Sequence, residues 1–188
     1  MRVVGVKKAY GERVVFDGLD LEFPDGRISC VMGKSGVGKT TLLKILAGLT
    51  DYEGRVEGCE KAAFVFQEPR LIAHMSVGEN IAFAVGRDGL TKEKLADLLT
   101  AVGLTGMEKR KAKTLSGGEA SRVALARAFA YGAPVILMDE PFADLDGETK
   151  AQVKGTFLKL WQEKRQTVVI VTHDEQEAAE MGEKVFYL

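Results

Sequence analysis

The sequence predicts an α/β fold with a mostly parallel sheet covered by helices, an antiparallel N-terminal β subdomain and a helical subdomain. A phosphate-loop pattern at residues 33–40 joins a strand-like run to a helix-like run. Two short apolar runs, residues 135–138 and 167–171, are typical of parallel strands buried on both faces. Strand–helix alternation around such a loop predicts the parallel sheet. We interpret residues 1–188 as one domain.

Hydrophobic runs, turn signals and capping patterns justify each element in order. Turns are predicted at residues 10–11 and 24–26. Strands are predicted at residues 2–7, 14–16, 19–23, 27–32, 62–66, 135–138, 167–171 and 184–188. Helices are predicted at residues 41–47, 76–83, 91–102, 116–130, 149–165 and 175–181. A Ser76–Glu79 capping box opens the second helix, and residues 69–130 are expected to form the helical subdomain.

Composition excludes several classes of function. The net charge of −1 gives no electrostatic footprint for nucleic acid, so no nucleic-acid partner is expected. No apolar run approaches the roughly 18 residues that span a bilayer. The N-terminus carries no signal-peptide pattern, which favours a cytoplasmic protein. Cys30 and Cys59 fit no metal pattern and are expected to be reduced thiols.

The phosphate loop predicts a nucleotide site. Glycines let the backbone wrap around a phosphate, and amide N–H groups at the start of the next helix point at the anion. Lys39 is expected to reach the β- and γ-phosphates, and the Thr40 hydroxyl to bind Mg²⁺. The alternative, a glycine-rich turn without a ligand, is disfavoured by the Lys39–Thr40 pair and by the flanking elements. The predicted binding residues are Gly33, Lys34, Ser35, Gly36, Val37, Gly38, Lys39, Thr40 and Thr41.

Two carboxylates follow the apolar run at residues 135–138, in the form of a Walker B element. Ligands of open α/β sheets bind beyond the carboxyl ends of the strands, so Asp139 is expected beside the phosphate loop as a Mg²⁺ ligand. Glu140 is placed to polarise an attacking water. The alternative is a solvated Asp-Glu turn, which the neighbouring phosphate loop disfavours.

Residues 115–119 read Leu-Ser-Gly-Gly-Glu and allow two interpretations. Ser116 and Glu119 have the spacing of a helix capping box. Glycine is a poor helix former, however, and glycines at a helix N-terminus expose N–H groups to an anion. One nucleotide does not need two such helix ends from one chain, so this motif predicts a composite site between two chains.

Together these motifs resemble the nucleotide-binding subunit of ATP-binding cassette (ABC) transporters over essentially the whole chain. Residues 115–127 resemble the family signature and its helix. Tyr10 resembles the aromatic residue that stacks on adenine, and Gln67 the Q-loop glutamine. Residues 142–146 resemble the D-loop, and His173 the switch histidine. Residues 66–72 resemble small importers of the nitrate, sulfonate and taurine type.

The resemblance implies roles for these residues. Gln67 would ligate Mg²⁺, orient water and sense the membrane partner, and His173 would hold the attacking water near the γ-phosphate. The catalytic set would be Lys39, Gln67, Glu140 and His173. The signature would grip the γ-phosphate bound by the partner subunit's Lys39, with Asp146 at the dimer interface. The second set of nucleotide-contacting residues would be Ser116, Gly117, Gly118, Glu119 and Asp146.

The implied function is ATP hydrolysis with Mg²⁺, which drives a homodimer or a paired ABC subunit through a closing and opening cycle. Integral membrane permease subunits would dock near residues 67–83 and hold the protein at the cytoplasmic face of the membrane. One departure from the family is Glu119–Ala120, where a Gln-like and a basic residue are usual; Glu119 is expected to point away or cap the helix. The alternatives are a soluble ABC-type clamp acting on nucleic acid or protein assembly, and a phosphate-loop kinase.

Overall fold

A computed structural model of the chain describes residues 1–86 and 89–188. The strands are β1 (Arg2–Tyr10), β2 (Arg13–Glu22), β3 (Ile28–Met32), β4 (Glu53–Glu57), β5 (Ala62–Val65), β6 (Val135–Asp139), β7 (Thr167–Val171) and β8 (Lys184–Tyr187). The helices are α1 (Lys39–Leu46), α2 (Val77–Val85), α3 (Lys92–Ala101), α4 (Gly117–Tyr131), α5 (Gly147–Lys164) and α6 (Glu175–Met181).

The chain divides into two compact units. The first comprises Met1–Phe64, Pro134–Glu140 and Arg165–Leu188, and the second comprises Val65–Ala133 and Pro141–Lys164. The predicted helical subdomain, residues 69–130, lies within the second unit, which also includes α5. The interpretation of the whole chain as one domain stays a prediction.

The first unit contains the two predicted kinds of sheet. A three-stranded sheet has the order β2-β1-β4, and both of its pairs are antiparallel. A five-stranded sheet has the order β5-β6-β7-β3-β8, with parallel pairing of β6 with β7, β7 with β3, and β3 with β8. All residues of β3 and β7 are buried, as expected for central parallel strands. The predicted fold class is confirmed.

Helix α1 packs its apolar face on this core. Leu42 and Leu43 of α1 are fully buried in one cluster with Val31 of β3 and Val169 of β7. Each such side chain contributes roughly 1.5–3 kcal/mol when it leaves water. This packing fixes the start of α1 above the carboxyl end of β3, which is the position of the phosphate loop.

The second unit is helical. Helix α4 packs against α2, α3 and α5. Phe129 of α4 and Phe157 of α5 are both fully buried, with ring centroids 6.0 Å apart. The predicted capping box of α2 is present: the Ser76 side chain accepts from the Glu79 amide, and the Glu79 side chain accepts from the Ser76 amide. In the described residues, no helix is long and apolar enough to cross a membrane.

Two features of the antiparallel sheet differ from the prediction. The run at residues 14–16 and residues 19–22 of the second run belong to one strand, β2. Gly18, at φ 88°, lies at a register shift in the pairing of β2 with β1, so the strand continues through the irregularity. Strand β4 was not predicted at all. Its sequence, Glu-Gly-Arg-Val-Glu, is charged and mostly exposed because β4 lies at the sheet edge, so it lacks the apolar pattern of a strand.

Candidate functional site

The phosphate loop leaves β3 after Met32 and enters α1 at Lys39. Its last glycine, Gly38, has φ 118°, a conformation that side chains disfavour. A Cβ at Gly38 would stand 2.6 Å from Val15 Cγ1 and 2.8 Å from Phe16 Cζ. Glycine is therefore required here both by the backbone turn and by the close approach of β2.

Lys39 places its ammonium inside the loop. The side chain is buried, and Nζ donates to the carbonyl oxygens of Gly33, at 2.9 Å, and Lys34, at 3.2 Å. An ammonium group surrounded by the loop backbone, at the N-terminus of a helix, strongly favours the binding of a phosphate anion.

A cavity of about 460 Å³ opens beside the loop. Eight predicted site residues line it: Tyr10, Ser35, Gly36, Gly38, Lys39, Thr40, Thr41 and Glu140. The Tyr10 ring is half-exposed, and hydrogen bonds with Thr50 and then Thr41 lower the pKa of its hydroxyl. The structure thus brings the predicted adenine-stacking residue to the same cavity as the loop.

Arg13 also lines this cavity, and the sequence reasoning missed it. Its Nη2 donates to the Gly36 carbonyl at 2.7 Å. Arg13 pairs with Tyr10 across the β1–β2 turn. The signal that could have found it is a basic residue immediately after the turn that presents Tyr10.

Asp139 emerges at the end of β6 beside Thr40. The Thr40 hydroxyl donates to Asp139 Oδ1 at 3.1 Å. Burial raises the pKa of Asp139, while the Thr40 hydrogen bond and the charges of Lys44 and Lys39 act in the opposite direction. The hydroxyl and the carboxylate are thus in hydrogen-bond contact, and both offer the oxygen atoms that Mg²⁺ prefers as ligands.

Glu140 and His173 meet at the ends of β6 and β7. His173 Nδ1 lies 2.9 Å from Glu140 Oε2. The Glu140 amide donates to the Val171 carbonyl at 2.9 Å, and its φ is 43°, in the left-handed region. Such a conformation costs of order 1–3 kcal/mol in a residue with a side chain and persists where the surroundings impose it. The sequence predicted both residues but not their contact.

Gln67 lies in the second unit, where a hydrogen bond within that unit holds its side chain. Its Nε2 donates to Asp144 Oδ2 at 3.1 Å. The segment after it is fixed by Arg127 of α4, which donates to the carbonyls of Pro69 at 2.8 Å and Arg70 at 3.0 Å. Burial lowers the pKa of Arg127. Asp144 and Arg127 lie within the motifs identified at residues 142–146 and 115–127, but these contacts were not predicted, because each joins residues distant in sequence.

Residues 116–119 form the N-terminus of α4, and the capping box is present there. The Ser116 side chain accepts from the Glu119 amide at 3.3 Å, and Glu119 Oε2 accepts from the Ser116 amide at 2.8 Å. The argument that two glycines disfavour this box is therefore wrong. The amides of Gly117 and Gly118 lie in the first turn, where no intrahelical acceptor exists, so an anion site at this end stays a prediction.

The D-loop residue Asp146 caps α5. Its Oδ1 accepts from the Thr149 amide at 3.1 Å, and hydrogen bonds from the Thr149 side chain and then from its amide lower the pKa of Asp146. Thr149 in turn packs against the signature: a Cβ built on Gly118 would lie 2.3 Å from Thr149 Cγ2. Within the second unit, the first turn of α5, which Asp146 caps, thus packs against the signature. The roles of Gln67, Asp146 and the signature at a nucleotide stay predictions.

Comparisons with known proteins bear on this geometry. A family model described as ABC transporter matches residues 16–143. The chain is 39% identical over 192 residues to the aliphatic sulfonates import ATP-binding protein SsuB 2 of Burkholderia lata, covering 97% of this chain and 70% of that protein. It is 42% identical over 191 residues to SsuB 2 of Frankia alni, with 99% and 76% covered. It also matches the dimeric structure of MJ0796, a bacterial ABC transporter cassette, with a TM-score of 0.84, 31% identity and coverage of 100% and 93%.

Proposed function

The chain belongs to the ABC transporter family and is an ATPase subunit of importer type, and we propose that its phosphate-loop cavity is where ATP is bound and hydrolysed. The observation that carries this proposal is the shared cavity, which Tyr10, Lys39, Thr40 and Glu140 line together. In this cavity the Tyr10 ring could stack on a base, the Lys39 ammonium and the loop amides could bind phosphates, and the Glu140 carboxylate could bind a water molecule.

The residues present fit Mg²⁺. Thr40 and Asp139 would supply two oxygen ligands, whose oxygen atoms lie 3.1 Å apart. When bound, the ion would neutralise charge on the β- and γ-phosphates. Lys39 would leave its loop carbonyls to take part in the same neutralisation. The partial burial of Asp139 suits it to a cation, because a bound positive charge offsets the cost of ionising a partly buried carboxylate.

Glu140 is the proposed base. Its carboxylate would accept a hydrogen bond from the attacking water and orient it towards the γ-phosphate. His173 supports this role from 2.9 Å, because a ring N–H directed at Glu140 Oε2 fixes the carboxylate and leaves Oε1 for the water. Glu140 directly follows β6, and the hydrogen bond from its amide to the Val171 carbonyl fixes its backbone at the end of this strand.

The second proposed site is the signature end of α4, facing a nucleotide held by another cassette. The amides of Gly117 and Gly118 and the Ser116 hydroxyl would bind the γ-phosphate across a head-to-tail dimer. A relative of this chain, MJ0796, is described as dimeric. ATP would then join two cassettes, and hydrolysis would release them, which drives alternating access in the permease.

The imported compound is proposed from relatives only. Two relatives are named as import ATP-binding proteins for aliphatic sulfonates, so a sulfonated organic anion is the proposed cargo class. Its recognition would lie in the permease and not in this chain. The permease would hold the chain at the cytoplasmic face of the membrane through residues 67–83, where Phe83 is 66% exposed.

The test is the mass in solution of the Glu140→Gln variant, with and without Mg-ATP. The amide is expected to keep nucleotide binding and to slow hydrolysis by about 10²–10⁴-fold, so the joined state accumulates as a dimer. Lys39→Ala is the matched control, which is expected to bind ATP poorly and stay monomeric. A Glu140→Gln chain that binds ATP and stays monomeric would contradict the composite site.

A further inference from the structure

Helices α2 and α4 of the second unit both begin with a capping box, and two basic residues adjacent in sequence contact the glutamates of these boxes. Ser76 and Glu79 form the capping box of α2, and Ser116 and Glu119 form that of α4. Lys111 Nζ lies 3.7 Å from Glu79 Oε2, and Arg110 Nη1 lies 2.9 Å from Glu119 Oε1. Each capping carboxylate is therefore paired with its own cation from one short segment.

The Arg110 guanidinium makes the more extensive set of contacts. Besides Glu119, it donates to the Thr114 carbonyl through Nη2 at 2.8 Å and to the Thr114 hydroxyl through Nε at 3.3 Å. Thr114 lies two residues before Ser116. Arg110 thus contacts the chain on both sides of Gly117 and Gly118. Such a fork fixes geometry as well as charge, which the flexible lysine ammonium does not.

The backbone of the same segment is anchored to α2. The carbonyls of Arg110 and Glu108 accept from the amides of Val77 and Gly78 at 2.9 Å each, and the Ala112 amide donates to the Met75 carbonyl at 3.0 Å. Arg110 is therefore presented to the signature from a supported position and not from a free loop.

The charge of Glu119 is the reason why its contact with Arg110 matters for anion binding. The hydrogen bond from the Ser116 amide, assisted by Arg110, lowers the pKa of Glu119, so the carboxylate is ionised at neutral pH. An ionised carboxylate in the first turn of α4 favours the helix but repels a phosphate approaching the same amides. Oε1 faces Arg110 and Oε2 faces the Ser116 amide, so both oxygens are occupied within the helix end.

We propose that Arg110 is a positioning residue of the signature, which neutralises Glu119 and holds it in the capping box so that the amides of Gly117 and Gly118 can donate to a γ-phosphate. The proposal rests on the composite site described above. It explains how this chain carries a glutamate next to an anion site, where a neutral Gln-like residue is usual. Arg110 acts through Glu119 and touches no reacting atom.

The experiment measures the dissociation constant of the ATP-joined dimer in the Glu140→Gln chain by sedimentation. Arg110→Gln is expected to raise this constant by about tenfold or more, because an unpaired carboxylate then faces the phosphate at both composite sites. Adding Glu119→Gln to Arg110→Gln is expected to restore the constant to within about threefold, since the repelling charge is gone. Lys111→Gln removes the neighbouring cation and is the matched control, with a change of less than about twofold.

Several outcomes would overturn the proposal. An unchanged constant in Arg110→Gln would do so, and so would equal weakening of the single and double variants, which would place the effect in Thr114 and not in the Glu119 charge. Binding of ATP to the monomer is measured alongside and is expected to be unchanged.

If Arg110→Gln fails to fold, Arg110→Lys replaces it. Lysine loses the fork to Thr114 but keeps the charge that offsets Glu119, so a constant within about threefold of the parent is expected if the charge is what matters. A tenfold loss there would contradict the charge argument. A parent chain that binds ATP without dimerising would remove the composite site itself, which is a separate failure.

Discussion

Gly117 and Gly118 are neighbours in the signature, but the structure gives them different surroundings. A Cβ on Gly118 would lie 2.3 Å from Thr149 Cγ2, whereas carbon atoms pack at about 3.5–4.0 Å. A Cβ on Gly117 would meet nothing within 4 Å. Gly118→Ala is therefore expected to destabilise the fold, and Gly117→Ala is its matched control.

The magnitude follows from two opposing terms. Alanine favours a helix over glycine by up to about 1 kcal/mol, and this term acts in both variants. The overpacking at Thr149 costs about 1–3 kcal/mol and acts only in Gly118→Ala. Thr149 does not rotate away freely, because its χ1 is restricted by β-branching and its amide is held by Asp146 at 3.1 Å. The two variants are thus expected to differ in unfolding free energy by about 1–3 kcal/mol.

The assay is urea unfolding followed by the fluorescence of Trp161. It is the one tryptophan of the chain, it is buried in α5, and it belongs to the same unit as Gly118. Thr149→Ser removes the clashing methyl group and keeps the hydroxyl, so it is expected to restore most of the loss in the double variant. Equal midpoints for Gly117→Ala and Gly118→Ala, or no rescue by Thr149→Ser, would refute the packing argument.

Two further predictions concern the proposed metal ligand and the proposed docking surface. Asp139→Asn is expected to reduce hydrolysis by about 10²-fold or more, since it removes the proposed Mg²⁺ ligand. Burial raises the pKa of Asp139 in the folded protein. Ionising this carboxyl therefore lowers the free energy of unfolding above the raised pKa, and this cost disappears below the ordinary value of 3.8. The Asn variant should therefore have a higher urea midpoint than the parent at pH 7.5, with the gain lost near pH 4; a constant gain across this range would contradict the assignment. Phe83→Ser is expected to weaken binding to permease-containing vesicles by about tenfold, as measured by co-sedimentation. Leu49→Ser, also an exposed apolar residue at 60%, is the control, and equal weakening would argue against docking through Phe83.

The parallel sheet and its helices were predictable because their signals are local. A run such as residues 167–171, apolar throughout, has few structures open to it other than a strand buried on both faces. Helix starts were equally readable, since Ser76, Thr91 and Ser116 cap the helices that follow them. Strand β4 was not readable, because an edge strand needs no apolar face and its pairing partner, β1, lies some fifty residues away.

The functional site shows the same contrast between local sequence signals and contacts that form only on folding. The phosphate loop and the Asp139–Glu140 pair were predictable because strand ends determine where they lie. Arg13 and Arg110 were not, because each acts on a group that the chain brings close only after folding. Arg13 contacts the Gly36 carbonyl, and Arg110 contacts Glu119. An isolated arginine carries no motif, so its role becomes visible only from its partner.

The signature shows why the sequence left two interpretations open. A capping box uses the Ser116 and Glu119 side chains and the amides of these two residues. An anion uses the amides of Gly117 and Gly118, which the box leaves without an intrahelical acceptor. The two devices share only the Ser116 hydroxyl, whose oxygen accepts from the Glu119 amide and whose hydrogen stays available to an anion, so they do not compete for hydrogen bonds. They compete only through the charge of Glu119, and that competition is what Arg110 is placed to remove.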